Sequence, residues 1–145
     1  MIKSQVKCMS IFGSLRNMVS NRAEENSLWN QPQTVDQINE ILKRSPTPQV
    51  IYKHSYSCAV SLFSKSSLES DLVSIAEKAD IHLVDVIANR QLSGEIASKT
   101  GIRHESPQII IMYKGDPYWH ASHGDVRIKP LLEALDELNG SSDVE

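Results

Sequence analysis

The chain has 145 residues, 40% of them apolar, which is enough for one domain that buries roughly two thirds of its unfolded surface. Its net charge of −3, without a dense cluster of Lys and Arg, argues against nucleic acid as a partner, and no apolar run reaches the roughly 18 residues that span a bilayer. Its two cysteines, Cys8 and Cys58, are too few for a disulfide framework, which suits a reducing cytosol. Together, these three features predict a soluble cytoplasmic protein with no nucleic-acid or membrane partner.

The two ends of the chain differ from its middle. Residues 1–28 carry several basic residues, but Gly13, Ser14 and Arg16 interrupt the apolar positions, which argues against an export signal. We predict a flexible or loosely docked N-terminal arm at 1–28, a single domain at 29–139 and a disordered tail at 140–145.

The domain is predicted to start with a helix and a buried strand. Thr34 and Gln37 have the spacing of a capping box, and a helical face follows it, made of Val35, Ile38 and Leu42. The Pro-containing segment 45–48 ends this helix. Residues 49–53 are then short, apolar and rich in β-formers, as in a buried strand.

The middle of the domain alternates between helix and strand. Residues 58–64 and 67–79 are predicted to be helical, with a kink at the serines between them: Ser64, Ser66 and Ser67. A second strand is expected at 81–86. A helix follows at 90–100, and Gly101 ends it as the left-handed cap residue.

The last elements are a hairpin and a helix. The turn sequence KGDP separates predicted strands at 108–113 and 118–121. Pro130, which a helix tolerates in its first turn, places the start of the final helix near Arg127. Strands joined through helices pair in parallel and the hairpin adds an antiparallel pair, so we predict an α/β fold with one mixed sheet and helices on both faces.

A single cysteine lies at a chemically favourable point of this fold. Cys58 follows the first strand where a helix begins, and ligands of open α/β sheets gather at this edge. The free N–H groups and the dipole of the helix favour an anion there, and comparable positions lower the pKa of a thiol from about 8.5 to roughly 3.5–7.5. The alternative is that Cys58 is only a small buried apolar residue, but the polar sequence before it argues against this.

The residue three positions later determines the type of thiol chemistry. Ser61 lies one helical turn from Cys58, where its hydroxyl can donate a hydrogen bond to the sulfur but cannot form a disulfide. A second cysteine would release a captured thiol by internal attack, whereas Cys-Ala-Val-Ser leaves Cys58 in a mixed disulfide until an outside thiol arrives. The motif therefore predicts monothiol exchange.

Pro107 is a second candidate for the site. It lies just before the third strand, and a cis peptide bond at this position would bring the turn close to the helix that Cys58 begins. Free backbone groups beside it would pair with an extended substrate. The alternative is an ordinary proline at the start of a strand.

Three segments together resemble a known family: YKHSYSCAVS, DVIANRQLSGEIASKTGIRHESPQIII and YWHASH. In this order and at these separations they are similar to the monothiol bacilliredoxins of the bacillithiol system, the YtxJ family. The resemblance extends over residues 29–138, and the long segment 85–108 is its most specific part. It implies a thioredoxin-like fold with a four-stranded mixed sheet, helices on both faces and an extra N-terminal helix.

The resemblance also implies an activity. Cys58 would attack an S-thiolated client protein, take the bacillithiol onto its own sulfur and free the client thiol, and a second low-molecular-weight thiol or a reductase would reset it. No bound cofactor is implied, because bacillithiol or a similar thiol is a co-substrate. Ser61 would occupy the place of a resolving cysteine, and Pro107 would be the cis-proline beside Cys58.

The chain departs from the family at one position, and the identity of the low-molecular-weight thiol stays open. The family motif has proline directly after the cysteine, whereas this chain has Ala59, which retains one more N–H donor near the sulfur. The candidate substrate-binding residues are His54, Ser57, Arg103 and Ser106. Lys53 and Arg90 are alternatives for meeting a carboxylate, and Arg103 is preferred because it is closest in sequence to Pro107.

Three further possibilities stay open. Four histidines, at 54, 104, 120 and 123, invite a metal site with Cys58, but their spacing matches no ligand motif and no metal site is predicted. A domain with a single active-site cysteine can also hold an iron–sulfur cluster between two protomers, although this chain lacks a glycine after the cysteine. Cys8, on the N-terminal arm, is a possible resolving partner for Cys58.

Overall fold

A computed structural model describes residues 28–142 of the chain, and the sheet lies at its centre. The strands are β1 (Gln49–His54), β2 (Asp80–Asp85), β3 (Gln108–Tyr113) and β4 (Asp116–Ser122), in the spatial order β2-β1-β3-β4. β1 pairs in parallel with β2 and antiparallel with β3, and β3 pairs antiparallel with β4. The predicted mixed sheet is confirmed.

Within residues 28–142, five α-helices cover the sheet: α1 (Val35–Leu42), α2 (Ala59–Glu69), α3 (Leu72–Lys78), α4 (Arg90–Thr100) and α5 (Ile128–Ser142). One face of the sheet packs against α2, α3 and α5, whose buried residues include Leu68, Ile75 and Leu135. The opposite face packs against α1 and α4 through Ile38 and Ile96. Because side chains alternate along β1, its residues contribute to both cores.

The local signals for helix ends are confirmed. Thr34 caps α1, and its hydroxyl accepts a hydrogen bond from the Gln37 N–H at 3.2 Å within a complete capping box. Gly101 ends α4 with a φ of 73°, a left-handed value that favours glycine. The hairpin turn consists of Lys114 and Gly115, both with positive φ, and Asp116 already belongs to β4.

The predicted kink at residues 64–67 is wrong in position. α2 runs without interruption to Glu69, and the break falls at Ser70 and Asp71. Asp71 causes the new helix to begin, because its carboxylate accepts the Ser74 N–H at 3.4 Å as an N-cap. Ser67 instead joins two helices, since its hydroxyl accepts the Ile128 N–H at 3.1 Å.

The described residues cover only parts of the two predicted end segments. The predicted arm at 1–28 lies outside the described residues except for Leu28, whose side chain packs against the core. Cys8 also lies outside them. At the other end, α5 continues to Ser142, into the segment 140–145 that was predicted to be a tail. Among residues 28–142, no helix is both long and apolar enough to cross a membrane.

Candidate active site

Cys58 is the N-cap of α2, at the carboxyl end of β1. Residues 55–58 form the turn between the strand and the helix, and the Cys58 N–H closes it by donating to the Ser55 carbonyl at 3.2 Å. The Cys58 carbonyl then accepts the first helical hydrogen bond, from the Leu62 N–H at 3.2 Å. The side chain is a free thiol and is partly exposed. The predicted position of the sulfur at the start of the helix is therefore confirmed.

The surroundings of the sulfur lower the pKa of the Cys58 thiol. The backbone N–H of Ser61 has the largest effect, partial burial acts against it, and the Val60 N–H and the Ser61 hydroxyl add smaller stabilisation of the thiolate. All three groups are hydrogen-bond donors at the start of α2, where the helix dipole also favours a negative charge. The helix start favours the nucleophilic form.

Ser61 is fully buried behind the cysteine, and two hydrogen bonds hold it there. Its hydroxyl oxygen accepts the Ser55 N–H at 3.3 Å, which leaves the hydroxyl hydrogen available to donate toward Cys58. Its carbonyl oxygen accepts the Tyr52 hydroxyl at 3.0 Å. The first turn of α2 is thus tied to both the active-site turn and the core.

The Tyr52 hydrogen bond also determines the state of His54. Because the Tyr52 hydroxyl donates its single hydrogen to Ser61, the His54 Nδ1 that lies 2.9 Å away must carry the proton and donate to Tyr52. Burial, followed by the charge of Lys65, lowers the pKa of His54 to about 4. His54 is therefore neutral, and its buried Nε2 has no partner among the described residues.

The Ser106–Pro107 peptide bond is cis, as the resemblance implied. The Pro107 carbonyl is not free for a substrate, because it accepts the His123 N–H at 2.8 Å. The Ser106 backbone, in contrast, makes no backbone hydrogen bond to other residues of the described region. Ser106 and Cys58 line the same cleft, so the residue before the cis-proline lies in the neighbourhood of the sulfur.

This cleft has a volume of about 530 Å³ and lies between Cys58 and the first half of α4. Its lining comes from the active-site turn, the end of β2, α4 and the turn before β3: Ser55, Cys58, Val86, Ile87, Arg90, Ser93, Gly94, His104 and Ser106. Among the described residues, the lining contains a cation and several hydroxyl groups but no carboxylate. It is therefore suited to an anionic or polar ligand.

The structure places only some of the predicted substrate-binding residues at the cleft. Ser106 lines the cleft, and Ser57 is exposed beside it, with its hydroxyl 3.1 Å from that of Ser55. His54 is completely buried, so a direct contact with substrate is wrong for this residue, and it supports Tyr52 instead. Arg103 is exposed outside the lining, whereas Arg90 is in it, so Arg90 lies closer to Cys58 and a role for Arg103 stays a prediction.

The burial of Lys53 and the position of Gly94 in a cleft wall were not predicted from sequence. Lys53 is fully buried although it is a lysine, and its Nζ lies 3.2 Å from the His104 Nδ1. Burial lowers the pKa of Lys53 to about 8. Gly94 lies in the middle of α4, where glycine costs about 1 kcal/mol relative to alanine. That cost was visible in the sequence, but its location in a cleft wall was not.

The four histidines do not form one cluster with Cys58, although His104 lines the same cleft. His54 contacts Tyr52 on one face of the sheet, whereas His104 contacts Lys53, whose side chain points to the other face. Within residues 28–142, no group of three or more His, Cys, Asp or Glu side chains is arranged to hold a metal ion.

Solved structures of similar shape have the thioredoxin fold. One, described as a presumed oxidoreductase with a thioredoxin fold, is 26% identical, with a TM-score of 0.67 over 76% of this chain and 96% of its own. The thioredoxins of Malassezia sympodialis (Mala s 13) and Trypanosoma brucei brucei are each 18% identical, with TM-scores of 0.58 and 0.59. They cover 75% and 77% of this chain and 89% and 91% of their own. Fold and site together define a protein of the thioredoxin fold in which, among residues 28–142, a single thiol begins a helix at the edge of the sheet.

The family follows from the sequence match. The model of the family Monothiol bacilliredoxin BrxC matches residues 30–131, which is well over half of the chain. The chain therefore belongs to the monothiol bacilliredoxin BrxC family, and the resemblance drawn from the three sequence segments is confirmed. This membership gives the protein a thiol redox role.

Proposed function

We propose that the protein is a monothiol thiol–disulfide oxidoreductase that removes bacillithiol, or a similar low-molecular-weight thiol, from protein mixed disulfides. The observation that carries the proposal is the pair formed by Cys58 and Ser61. The helix start lowers the pKa of the Cys58 thiol, and the position behind it holds a buried serine where a resolving cysteine would otherwise lie.

The first step transfers the small thiol to the protein. The Cys58 thiolate attacks the sulfur of the small thiol within the client's mixed disulfide, a new S–S bond forms, and the old one breaks. The client sulfur leaves as a thiolate and takes a proton from solvent. One disulfide replaces another, so no external oxidant or reductant is needed in this step.

The second step needs a thiol from outside. Ser61 cannot attack the Cys58 mixed disulfide, because its hydroxyl is a far weaker nucleophile than a thiolate and forms no S–S bond. A second small thiolate attacks the captured thiol, giving a symmetrical small-molecule disulfide and regenerating the Cys58 thiolate. We expect the reaction rate to depend on the concentration of that second thiol.

The surface around Cys58 provides features for a client protein. Ser106 offers an unpaired backbone segment to an extended client strand. Large apolar side chains surround the thiol, with exposed fractions of 57% for Tyr56, 43% for Val60 and 56% for Ile87. Apolar side chains exposed around a reactive group are typical of a surface that docks other proteins transiently.

Intact-protein mass spectrometry tests the proposal. Wild type, Cys58→Ser and Cys8→Ser would each be incubated with bacillithiol disulfide, with glutathione disulfide and with an S-bacillithiolated client protein. We expect one bacillithiol adduct on wild type and on Cys8→Ser, release of the client thiol, and no adduct on Cys58→Ser at the same exposure.

Each other outcome changes the assignment. If wild type takes up neither thiol, the proposed oxidoreductase activity is wrong. An adduct with glutathione alone would leave the exchange chemistry in place but replace bacillithiol as the partner. Loss of the adduct in Cys8→Ser, rather than in Cys58→Ser, would move the nucleophile to the N-terminal segment.

A further inference from the structure

A second pocket lies between the edge strand β2 and helix α1. It has a volume of about 340 Å³, which is within the range of small-ligand sites. Its lining comes from the segment before α1, from α1 itself and from β2: residues 30–32, Gln37, Glu40, Ile41 and His82. It shares no lining residue with the cleft beside Cys58, so an inference about this pocket does not depend on the proposed function.

Hydrogen bonds within the chain hold the walls of this pocket in place. The Asn30 N–H donates to the Ile81 carbonyl at 2.9 Å, and the Asn30 carbonyl accepts from the Leu83 N–H at 2.8 Å. These bonds fix the segment before α1 against the edge of β2, and the capping box fixes the first turn of α1. A ligand would therefore enter a pocket that is already formed, without the cost of ordering its walls.

The hydrogen bonds of Gln49 determine which nitrogen of His82 carries hydrogen. The Gln49 side-chain nitrogen donates to the Thr47 carbonyl at 3.1 Å and to the Asp80 carboxylate at 3.0 Å. The Gln49 side-chain oxygen can only accept, and it lies 2.8 Å from the His82 Nε2, so Nε2 carries the hydrogen. The ring is neutral because burial lowers the pKa of His82 to about 4. Its Nδ1 is therefore an acceptor.

This Nδ1 is a buried acceptor without a donor. It has no hydrogen-bond partner among residues 28–142, and His82 as a whole is only 6% exposed. Because side chains alternate along β2, His82 points to the face opposite the core that contains Ile81 and Leu83, and it lines the pocket. A buried acceptor left unpaired is unfavourable, so a ligand that donates to Nδ1 would remove this cost.

The charges around the pocket favour a cation. Glu40 is in the lining, and the described lining residues include no Lys or Arg. Glu40 pairs with Lys43, but both side chains are largely exposed, and an exposed pair of this kind is weak enough for a ligand to replace it. Asp80 adds a second negative charge, which acts on His82. The pocket thus offers a neutral acceptor and a carboxylate to a positively charged donor.

We infer that this pocket binds a guanidinium group that donates to the His82 Nδ1 and to the Glu40 carboxylate. A guanidinium carries several N–H donors in one plane and no acceptor, so a single group can serve both partners. It is also weakly hydrated, and its flat faces tolerate apolar neighbours such as Pro32 and Ile41. Free arginine-like molecules and the arginine side chains of proteins both carry this group.

Three small probes separate charge from hydrogen bonding: methylguanidinium (cationic, with N–H donors), N-methylurea (neutral, of similar shape) and tetramethylammonium (cationic, without a donor). Each would be titrated into the ¹⁵N-labelled full chain while the histidine ring nitrogens are observed by NMR. We expect methylguanidinium to move the His82 Nδ1 signal toward that of a hydrogen-bonded nitrogen at millimolar concentrations, as suits a ligand of few atoms. N-methylurea should bind at least roughly fivefold more weakly, and tetramethylammonium should not move the signal.

Variants on α1 test the role of charge. Glu40→Gln should weaken methylguanidinium binding by roughly two- to fivefold. Lys43→Gln should strengthen it, because it removes the cation that competes for Glu40. Glu77→Gln is the matched control, since it removes the same charge from α3, outside the pocket, and should leave binding unchanged.

A variant of the histidine tests the acceptor itself. His82→Gln retains a donor toward Gln49 but removes the Nδ1 acceptor, so binding of methylguanidinium should be lost. If this variant does not fold, the wild-type titration and the α1 variants still decide the question. L-arginine and N-acetyl-arginine amide then distinguish the source of the group. Tighter binding of free arginine would support a small-molecule ligand, and equal or tighter binding of the blocked form would support an arginine of a partner protein.

Other results would overturn the site. It is wrong if methylguanidinium does not move the His82 Nδ1 signal, or if this nitrogen is already hydrogen-bonded in the full chain without ligand. Equal effects of Glu40→Gln and Glu77→Gln would also contradict it. Alkylation of Cys58 by iodoacetamide should be the same with and without methylguanidinium, so failure of this site would leave the proposed thiol chemistry standing.

Discussion

The Tyr52 hydroxyl donates to the Ser61 carbonyl oxygen at 3.0 Å, and this bond ties the central strand to the first turn of the helix that Cys58 caps. The same hydroxyl oxygen accepts a hydrogen bond from the His54 Nδ1–H at 2.9 Å. One buried oxygen therefore holds both His54 and the first turn of the helix that begins at Cys58. Burial is the main cause of a raised pKa for Tyr52, which keeps this hydroxyl protonated and able to donate.

Removing this oxygen should destabilise the domain. In Tyr52→Phe, the His54 N–H and the Ser61 carbonyl each lose a partner in the core, and buried groups left in this way cost about 1–3 kcal/mol. We expect the free energy of unfolding, measured by urea denaturation, to fall by about that amount. Tyr118→Phe is the control: because Tyr118 is 41% exposed, removing its hydroxyl should lower the free energy of unfolding only slightly. Equal effects in the two variants would contradict the role of Tyr52.

The pH dependence of alkylation reports the state of Cys58. Because the helix start lowers the pKa of this thiol, its rate of alkylation by iodoacetamide should reach half its maximum at a lower pH than that of a free cysteine. Ser61→Ala removes a donor to the thiolate and should move the half-maximum to higher pH, slowing alkylation at neutral pH by roughly fivefold. An unchanged profile would show that the Ser61 hydroxyl does not act on the sulfur.

Ser61→Cys should convert the site to dithiol chemistry. The new thiol would lie in a buried position directly behind Cys58, where it can attack the Cys58 mixed disulfide and release the captured small thiol. Intact mass spectrometry should then show an intramolecular disulfide, two mass units lighter than the reduced protein, in place of the persistent adduct. Persistence of the adduct in Ser61→Cys would show that the two side chains cannot meet.

Two buried histidines should make the fold sensitive to acid. Burial is the main cause that lowers the pKa of His54 and of His82 to about 4, whereas an unfolded histidine titrates near 6.5. Between these values the unfolded chain binds more protons, so stability should fall as pH falls from about 6.5 to about 4. The slope is at most roughly 1.4 kcal/mol per pH unit for each histidine.

Isosteric variants identify the contribution of each ring. His54→Asn retains a donor near the position of Nδ1, which bonds Tyr52, and His82→Gln retains one near Nε2, which lies 2.8 Å from the Gln49 side-chain oxygen. Each variant should flatten the dependence of unfolding free energy on pH between 4 and 6.5. A slope that stays as steep in the double variant would assign the acid sensitivity to other groups.

Lys53 should reduce stability at neutral pH. Its ammonium is fully buried with a histidine as its hydrogen-bond partner, so Lys53→Met should stabilise the domain at pH 7 by about 1–3 kcal/mol. The pKa of Lys53 is about 8 in the folded protein and near 10.4 when unfolded, so the wild type should gain stability as pH rises through this window. The advantage of Lys53→Met should shrink over the same range. A destabilised Lys53→Met at pH 7 would contradict this account.

Local patterns predicted most of the fold. The Thr34 capping box, the left-handed Gly101 and the strand at residues 108–113 are all confirmed, because caps and hydrophobic periodicity depend on residues close in the chain. The position predicted for the break between α2 and α3 was wrong, because it depends on residues that are distant in the chain. Ser67, one of the serines predicted to break the helix, lies inside α2 and contacts α5, a helix about sixty residues away in sequence.

The sequence by itself determined that one cysteine begins a helix at the end of a strand, that a serine follows it one turn later, and to which family the chain belongs. Only the tertiary structure decided that His54 turns into the core, that Lys53 turns to the opposite face, and that Arg90 rather than Arg103 enters the cleft. The physical reason is that adjacent strand residues point to opposite faces, and that a cleft is formed by loops whose convergence depends on the packing of the whole sheet.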